Sequence, residues 1–157
     1  MQIADDFNAF TQALSNQAGF ALDVENNTTA FKFNDIVVVL DLPDEHEPFL
    51  YVYTCLFPVE HKDRAVLFEK LLSYNMPNSQ IPGTNTPQTI PRIAFEKETE
   101  QVYCWDKFDI STQDMDSFKS RLSIFCETCM ALVNEFKKET KTPDTSDELI
   151  KESYLRI

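Results

Sequence analysis

The sequence contains few of the residues on which phosphate-binding and catalytic sites depend. Only two of its 157 residues are glycine. So low a number argues against a glycine-lined phosphate site, and against a β-barrel or β-sandwich with many tight turns. The two histidines, His46 and His61, lie in an acidic loop and at the start of a predicted helix, so they give no pair of nucleophile and base. We expect surface or capping roles for both.

Basic charge and long apolar runs are also scarce. The chain has 26 acidic and 14 basic residues, which gives a net charge of -12 at pH 7. This excess repels phosphate backbones and anionic lipid surfaces, so we expect neither nucleic acid nor a membrane as partner. No stretch approaches the roughly 18 apolar residues of a membrane span, and the acidic N-terminus lacks the basic region of a secretion signal. A cytoplasmic protein is expected.

The four cysteines, Cys55, Cys104, Cys126 and Cys129, fit a reducing compartment better than a disulfide framework. Cys126 and Cys129 form a C-x-x-C motif, but they fall inside a predicted helix and not at its N-terminus, where redox pairs lie. None of the remaining cysteines and histidines has the paired spacing of a zinc module. We expect the pair to be small core residues, with no metal, no cofactor and no enzymatic activity.

Aromatic residues, in contrast, are abundant, with 13 Phe, 5 Tyr and 1 Trp. Residues 49–57, FLYVYTCLF, are typical of a strand whose alternation groups Leu50, Val52 and Leu56 on one face. The opposite face then carries Phe49, Tyr51, Tyr53, Cys55 and Phe57. A half-buried strand has one polar face, whereas this strand has two apolar faces. A face that the fold leaves uncovered is therefore a candidate docking surface.

Hydrophobic periodicity predicts three helices and five strands. The first helix presents Ile3, Phe7, Phe10 and Leu14 and ends at Gly19. The later elements are strands at 28–34, 36–42 and 49–57, a helix at 61–75, strands at 93–95 and 101–108, and a long helix opened by a capping-box pattern from Ser111 to Asp114. This order, α-β-β-β-α-β-β-α, predicts an α+β fold, an antiparallel five-stranded sheet with helices mostly on one face.

The predicted domain spans residues 1–138. The helix at 61–75 is followed by a loop at 76–91 that contains four prolines. Residues 139–157 form a polar tail in which a short docking helix at 146–154 could form.

Two surfaces of such a fold could bind a partner. The first and last helices suffice to cover one side of the sheet, which leaves the other side to Phe49, Tyr51 and Tyr53, with Phe31 or Phe33. The second helix carries an apolar stripe that packs either on its own sheet or on a second copy of the chain, and it consists of Leu67, Phe68, Leu71 and Leu72. An open sheet edge could also accept an extended peptide.

The order of elements and several local motifs resemble those of a known family. Leu71-Leu72-x-x-Asn75 closes the second helix, and Val102-Tyr-Cys-Trp-Asp106 with Phe108 leads into the last helix. In these features, over about residues 3–138, the chain resembles type III secretion chaperones of the single-effector class, the Tir-chaperone-like (CesT-like) group. It departs from that family in the proline-rich loop, where the family has a shorter, glycine-containing connection, and in the added tail.

The resemblance implies a bacterial cytoplasmic homodimer without enzymatic activity. It would bind the N-terminal region of a secreted effector in extended form and keep it soluble and export-competent, with the ATPase of the export apparatus as a further candidate partner. By position, the effector-binding residues would be Phe7, Phe31, Phe33, Phe49, Tyr51 and Tyr53. The dimer contacts would be Leu67, Phe68, Leu71 and Leu72. Two alternatives remain. The first is an adaptor of similar fold that binds a folded partner, and the second is a zinc or thiol enzyme.

Overall fold

A computed structural model describes residues 2–18, 21–59, 64–75 and 91–139. The described elements are α1 (Gln2–Ala18), β1 (Thr28–Phe33), β2 (Ile36–Asp41), β3 (Phe49–Pro58), α2 (Arg64–Tyr74), β4 (Arg92–Glu96), β5 (Gln101–Asp109) and α3 (Met115–Glu139). This order confirms the predicted α+β fold. The start of the predicted second helix at 61–63, most of the predicted loop at 76–91 and the predicted tail helix lie outside the described residues.

The five strands form one antiparallel sheet in the order β1-β2-β3-β5-β4, so β1 and β4 are its edges. The β1–β2 hairpin turns through Asn34, which has a φ of 52°. Asn26, Asn27 and Glu100 also have positive φ values. Asparagine tolerates this left-handed region better than most residues. Asparagine thus takes the place of glycine at several turns, which accounts for a sheet protein with so few glycines.

One face of the sheet, here called the inner face, packs against the helices. Residues directly opposite each other in antiparallel strands point to the same face. On the inner face Leu40 of β2 is opposite Val52 of β3, and Leu50 of β3 is opposite Phe108 of β5, and all four are 0% exposed. Leu56 is buried as well. The predicted core face of β3 is therefore confirmed.

The described helices all pack on the inner side of the sheet. The ring of Phe10 in α1 stacks on that of Phe118 in α3, with centroids 4.4 Å apart. Phe118 in turn lies edge-on to Phe108 of β5 at 5.9 Å. The rings of Phe68 in α2 and Phe95 in β4 are 4.8 Å apart. These contacts leave the opposite side of the sheet, here called the outer face, without a described helix.

A β-bulge in β3 moves one predicted outer residue to the inner face. Simple alternation places Phe57 on the same face as Tyr53. The register shifts between Cys55 and Phe57, and Phe57 is opposite the fully buried Val102. Its ring lies 4.9 Å from that of Phe136 in α3. The prediction for Phe57 is wrong because a bulge inserts one extra residue and reverses the alternation beyond it.

Three of the four cysteines are core residues. Cys104, Cys126 and Cys129 are at most 1% exposed. Burial raises the pKa of Cys126 to about 12. Burial, with a hydrogen bond to Cys104, also raises the pKa of Cys129 well above its ordinary value. Because the thiolate is the reactive and metal-binding form, these thiols are unsuited to either role. The prediction that the C-x-x-C pair consists of small core residues is confirmed.

The long helix α3 begins at Met115, and Asp114 is its N-cap. The backbone N–H of Ser117 donates a hydrogen bond to Oδ1 of Asp114 at 2.8 Å. The capping-box pattern predicts Ser111 in this role, but Ser111 donates its N–H and its hydroxyl to Asp109 instead. The prediction identifies the start of the helix and assigns the wrong cap, because the end of β5 engages Ser111.

We expect Asp114→Ala to lower the unfolding temperature at neutral pH, because it removes the acceptor for the N–H of Ser117. This hydrogen bond lowers the pKa of Asp114 from its ordinary value of 3.8. The stabilisation is therefore present above that value and is lost as the pH falls through the lower folded-state pKa. Thermal circular dichroism should show the difference between the two proteins shrinking in acid. Asp114→Asn is the control, since its amide oxygen still accepts, and an equal loss in both variants would contradict this role.

Candidate functional site on the outer face of the sheet

The outer face is aromatic and has no described helix on it. Tyr53 of β3 is opposite Trp105 of β5, and Cys55 is opposite Tyr103. Tyr51 lies on the same face, with its ring 6.2 Å from that of Trp105 and tilted by 36°. All five side chains are half-buried, so part of each remains open to solvent. Tyr and Trp each combine an apolar ring with one polar atom. Clusters of such rings at a surface are typical of protein-binding sites.

One row of residues crosses all five strands on this face. The directly opposed positions, from β1 to β4, are Ala30, Val39, Tyr53, Trp105 and Arg92. We call these five residues the cross-sheet row. Neighbouring strands lie about 4.8 Å apart, so the row is about 19 Å long. An extended peptide rises about 3.3 Å per residue, and about six residues would therefore cross the row.

Two basic side chains lie over aromatic rings at the border of the outer face. Nζ of Lys107 is 3.4 Å from the ring centroid of Phe49, and the guanidinium of Arg92 is 4.9 Å from that of Trp105. Such cation–π contacts contribute about 0.5–1 kcal/mol at exposed sites. They hold the rings in place before any partner binds, which reduces the loss of side-chain conformational entropy on binding.

The outer face is nearly neutral, although the chain as a whole is strongly acidic. The register places three basic and three acidic residues on this face, namely Lys32, Arg92, Lys107, Asp41, Glu96 and Asp109. The net charge of -12 therefore resides elsewhere on the chain. Partial burial, and next the carboxylate of Asp41, raise the pKa of Tyr53. Its hydroxyl is protonated at neutral pH and can donate a hydrogen bond to a partner.

The structure brings together three of the six predicted effector-binding residues, which are Phe49, Tyr51 and Tyr53. Phe31 and Phe33 lie on the inner face instead, opposite Val38 and Ile36, and are half-buried against the core. The two-residue hairpin turn sets this register, which alternation within one strand cannot reveal. The expectation that Phe31 or Phe33 joins the outer aromatics is wrong.

The sixth predicted residue, Phe7, is part of the core. It is 1% exposed and belongs to the same buried cluster as the inner face of the sheet. A side chain with so little exposed surface offers no contact to a partner. The assignment of Phe7 to an effector-facing surface is therefore corrected: Phe7 is a core residue. It lies on the apolar stripe of α1 because that stripe packs into the core.

The exposed side of α2 differs from the predicted dimer contacts. Leu71 is 4% exposed and belongs to the core, and Leu67 and Phe68 are half-buried against it. Leu72 is 65% exposed and Val66 is 73% exposed. The apolar stripe thus marks mainly the side of the helix that faces its own sheet. Val66 lies outside that stripe and is absent from the predicted dimer contacts. An apolar side chain on the otherwise polar side of the helix could have identified it as an exposed apolar residue.

Sequence reasoning also misses residues of the outer face that neighbouring strands contribute. Trp105 and Tyr103 come from β5, and Val39 and the 54% exposed Val37 come from β2. Alternation along residues 101–108 groups Tyr103 with Trp105 and could have identified this pair. Which face of β3 they join depends on strand pairing, which only the fold defines.

The described residues show neither a metal-binding cluster nor a titratable side chain in the groove beside α1. In the ranges that the structure describes, no three His, Cys, Asp or Glu side chains are grouped so that they could hold a metal ion. A groove of about 650 Å³ beside α1 is lined chiefly by uncharged polar side chains such as Asn8, Thr11, Gln12 and Ser15. None of its lining residues is titratable. No helix within the same ranges is long and apolar enough to cross a membrane.

The fold is similar to those of several solved complexes. Against a chain of the HopA1-SchA chaperone-effector complex, the TM-score is 0.64 at 12% identity, covering 83% of this chain and 94% of that one. For the Yersinia pestis type III secretion chaperone SycH with a fragment of YscM2, the TM-score is 0.55 at 13% identity, covering 80% and 98%. For the ExsC-ExsE complex it is 0.53 at 12% identity, covering 78% and 86%. At such low identity these similarities establish the fold alone.

The sequence comparisons give the family. No curated protein matches the chain. The model of the Tir chaperone protein (CesT) family matches residues 9–135, which is most of the chain. This match confirms the predicted resemblance and the predicted class, a non-enzymatic type III secretion chaperone that binds effectors. The chain therefore belongs to the Tir chaperone protein (CesT) family.

Proposed function

We propose that this chaperone binds the N-terminal segment of a secreted effector in extended form, on the outer face of its sheet. The observation that carries the proposal is the set of half-exposed rings of Tyr51, Tyr53 and Trp105, which no described helix covers. The solved chaperone-effector complex of similar fold agrees with a partner of this kind. The proposed site is the cross-sheet row with Phe49 and Tyr51 beside it.

The length of the cross-sheet row suits an extended segment. The row is about 19 Å long, which matches about six residues of extended chain. Because the face is nearly neutral, apolar and aromatic side chains of the segment would contribute most of the affinity.

The proposed action requires no bond to be formed or broken. Apolar side chains of the effector that would otherwise associate with one another are buried against the rings of the chaperone. The bound segment cannot fold while it is held extended, and it remains competent for export. The acidic remainder of the surface keeps the complex soluble. The setting is a bacterial cytoplasm, and the export ATPase is the candidate partner at release.

We further propose a homodimer whose interface includes the exposed side of α2. Val66 and Leu72 present large apolar side chains to solvent on this helix. An isologous contact would bury both residues on each copy. The resemblance to the family supports the use of this helix, although the contacts differ from those that the apolar stripe predicts. Leu67 and Phe68 would add only their exposed parts, and Leu71 would support the helix from within the core.

We expect Tyr51→Asp and Tyr53→Asp to abolish retention of the effector segment while the fold is preserved. An unpaired charge buried under a partner costs about 3–5 kcal/mol, which weakens binding more than about 100-fold. The measurement is a co-expression pull-down with N-terminal fragments of secreted proteins from the same genome, with circular dichroism as the fold check.

The matched control for these two variants is Asn134→Asp, which adds the same charge on the exposed side of α3. It should retain the effector as the unchanged protein does. Unfolding of the tyrosine variants would show that the outer face is ordinary core. A folded domain retained in place of an extended fragment would favour the adaptor alternative.

Cys55 gives an independent test because it lies on the outer face and is half-buried, whereas the other three cysteines are buried. We expect a maleimide to label Cys55 in the free chain and to label it much more slowly in the effector complex. Burial raises the pKa of Cys55 above its ordinary value, so its labelling is slower than that of a free cysteine, and the two states are compared at the same near-neutral pH. Cys55→Ser should remove the label, and equal rates in the free and bound states would argue against the outer face.

We expect Val66→Asp and Leu72→Asp to convert the dimer to a monomer at micromolar concentration. In an isologous contact each substitution places one charge from each copy in the interface, so two charges are buried. Light scattering with size separation gives the mass of each variant. Asn134→Asp is again the charge-matched control and should remain dimeric. A monomeric unchanged protein would remove the support for the dimer proposal.

A further inference from the structure

Cations that lie over aromatic rings occur in two settings in this structure. Within the described ranges, five basic side chains lie over rings, namely Arg64, Lys70, Arg92, Lys107 and Arg121. Three of them also contact a carboxylate, in the pairs Arg64–Glu100, Lys70–Glu135 and Arg121–Asp106. The rings at these three sites belong to the core or pack against it. Each of the three sites therefore combines a ring, a cation and a carboxylate.

The two cations of the outer face have the ring but not the carboxylate. Lys107 lies over Phe49, and Arg92 lies over Trp105. Neither cation forms an ion pair with any residue in the described ranges. The chain has 26 acidic and only 14 basic residues, so a shortage of carboxylates does not explain this difference. The outer face thus has two ring–cation sites that are open to a carboxylate.

The acidic residues of the outer face are engaged by hydroxyl groups instead. In each case the hydroxyl of a serine or threonine donates a hydrogen bond to the carboxylate, and the pairs are Thr28–Asp41, Ser111–Asp109 and Thr99–Glu96. The oxygen–oxygen distances are 2.6, 2.7 and 3.1 Å. None of the three carboxylates lies within ion-pair distance of Lys107 or Arg92. The chain's own acidic groups on this face therefore leave both sites open.

One of the two cations accompanies each ring of a pair. The rings of Tyr51 and Trp105 are 6.2 Å apart. Nζ of Lys107 is 5.8 Å from the ring centroid of Tyr51, and the guanidinium of Arg92 is 4.9 Å from that of Trp105. Residues two apart in an extended chain share a face and lie about 6.6 Å apart. A residue that packs on the ring pair therefore brings the residues two positions before and after it towards the two cations.

We infer that Arg92 and Lys107 form two carboxylate-binding sites, which select bound segments of the pattern acidic-x-apolar-x-acidic. The apolar side chain packs on Tyr51 and Trp105, and an Asp or Glu side chain on each side of it pairs with one cation. The identity of the segment rests on the proposed function, whereas the affinity of the two sites for carboxylates is a property of the chain alone. A bound segment gives each site the carboxylate that the three other ring–cation sites obtain from the chain itself.

The net charge of -12 does not oppose this selectivity. The charges of the outer face are balanced, so the acidic excess lies elsewhere on the chain. At physiological ionic strength, exposed charges more than roughly 8 Å apart are largely screened from each other. A carboxylate in contact with Lys107 or Arg92 therefore responds mainly to that cation. Contact also displaces water from the pair, which strengthens the attraction.

Trp105 makes a direct test possible because it is the only tryptophan of the chain, so intrinsic fluorescence reports this site alone. The probe is the peptide acetyl-Asp-Ser-Leu-Ser-Asp-amide, and two matched peptides carry Asn or Lys in place of both Asp residues. An exposed ion pair contributes about threefold to affinity, so the Asp peptide should bind about tenfold more tightly than the Asn peptide. The Lys peptide should bind most weakly. Equal affinities for the Asp and Asn peptides, or no saturable change with the Asp peptide, would overturn the inference.

Substitutions of the two cations distinguish carboxylate binding from a structural role. Arg92→Gln and Lys107→Gln should each reduce the preference for the Asp peptide over the Asn peptide about threefold. A cation that only holds its ring would change the affinity for both peptides equally. Arg92→Lys and Lys107→Arg keep the charge and should keep the preference. Lys97→Gln, at an exposed position in the turn after β4, is the charge-matched control and should behave as the unchanged protein does. An unchanged preference in both glutamine variants would contradict the assignment of the two sites.

Retention of secreted fragments separates this inference from the proposed function. In the co-expression pull-down, the double variant Arg92→Gln/Lys107→Gln should retain about tenfold less of the bound fragment than the unchanged protein does. Equal retention, or retained fragments without the acidic-x-apolar-x-acidic pattern, would overturn the two carboxylate sites and leave the proposed function intact. If the unchanged protein retained no fragment, the proposed function would fail, and the peptide titrations would still decide the carboxylate sites.

Discussion

The packing of α3 against β3 and β5 is the contact on which the rest of the structure depends. Phe118 of α3 lies between Phe10 of α1 and Phe108 of β5, so one ring joins the three elements. The far end of α3 meets β3 through Phe136 and Phe57. Because α1 and α2 pack on the same side, the whole apolar core forms on the inner face. The sheet is thereby left with one covered and one open face.

This one-sided arrangement suits a protein that binds but performs no chemistry. The outer face has half-exposed rings, balanced charge and cations that hold the rings in place. The buried thiols, whose pKa values are raised by burial, are unsuited to redox or metal chemistry. Membership of the Tir chaperone family agrees with this reading. Affinity for an extended chain can then come from apolar contact on the outer face.

Much of the fold follows from local sequence pattern. The 3.6-residue period identifies the helices, and the two-residue period identifies β3 and separates Leu50 and Val52 from Tyr51 and Tyr53. Burial confirms that separation, because the first pair is 0% exposed and the second is half-buried. These predictions succeed since both periods arise within a single element. The order of elements sufficed for the fold class, and that order together with several local motifs sufficed for the family.

What the sequence by itself determined is therefore the set of elements, the two faces of β3 and the absence of a catalytic motif. Tertiary structure decided how the elements relate. Strand register assigned Phe31 and Phe33 to the inner face, a bulge turned Phe57 inward, and the docking of α2 buried Leu71 and exposed Leu72. The two hydrogen bonds between the side chain of Asn75 and the backbone of Ile93 span 18 residues of sequence. Such contacts join residues far apart in the chain, and no local period encodes them.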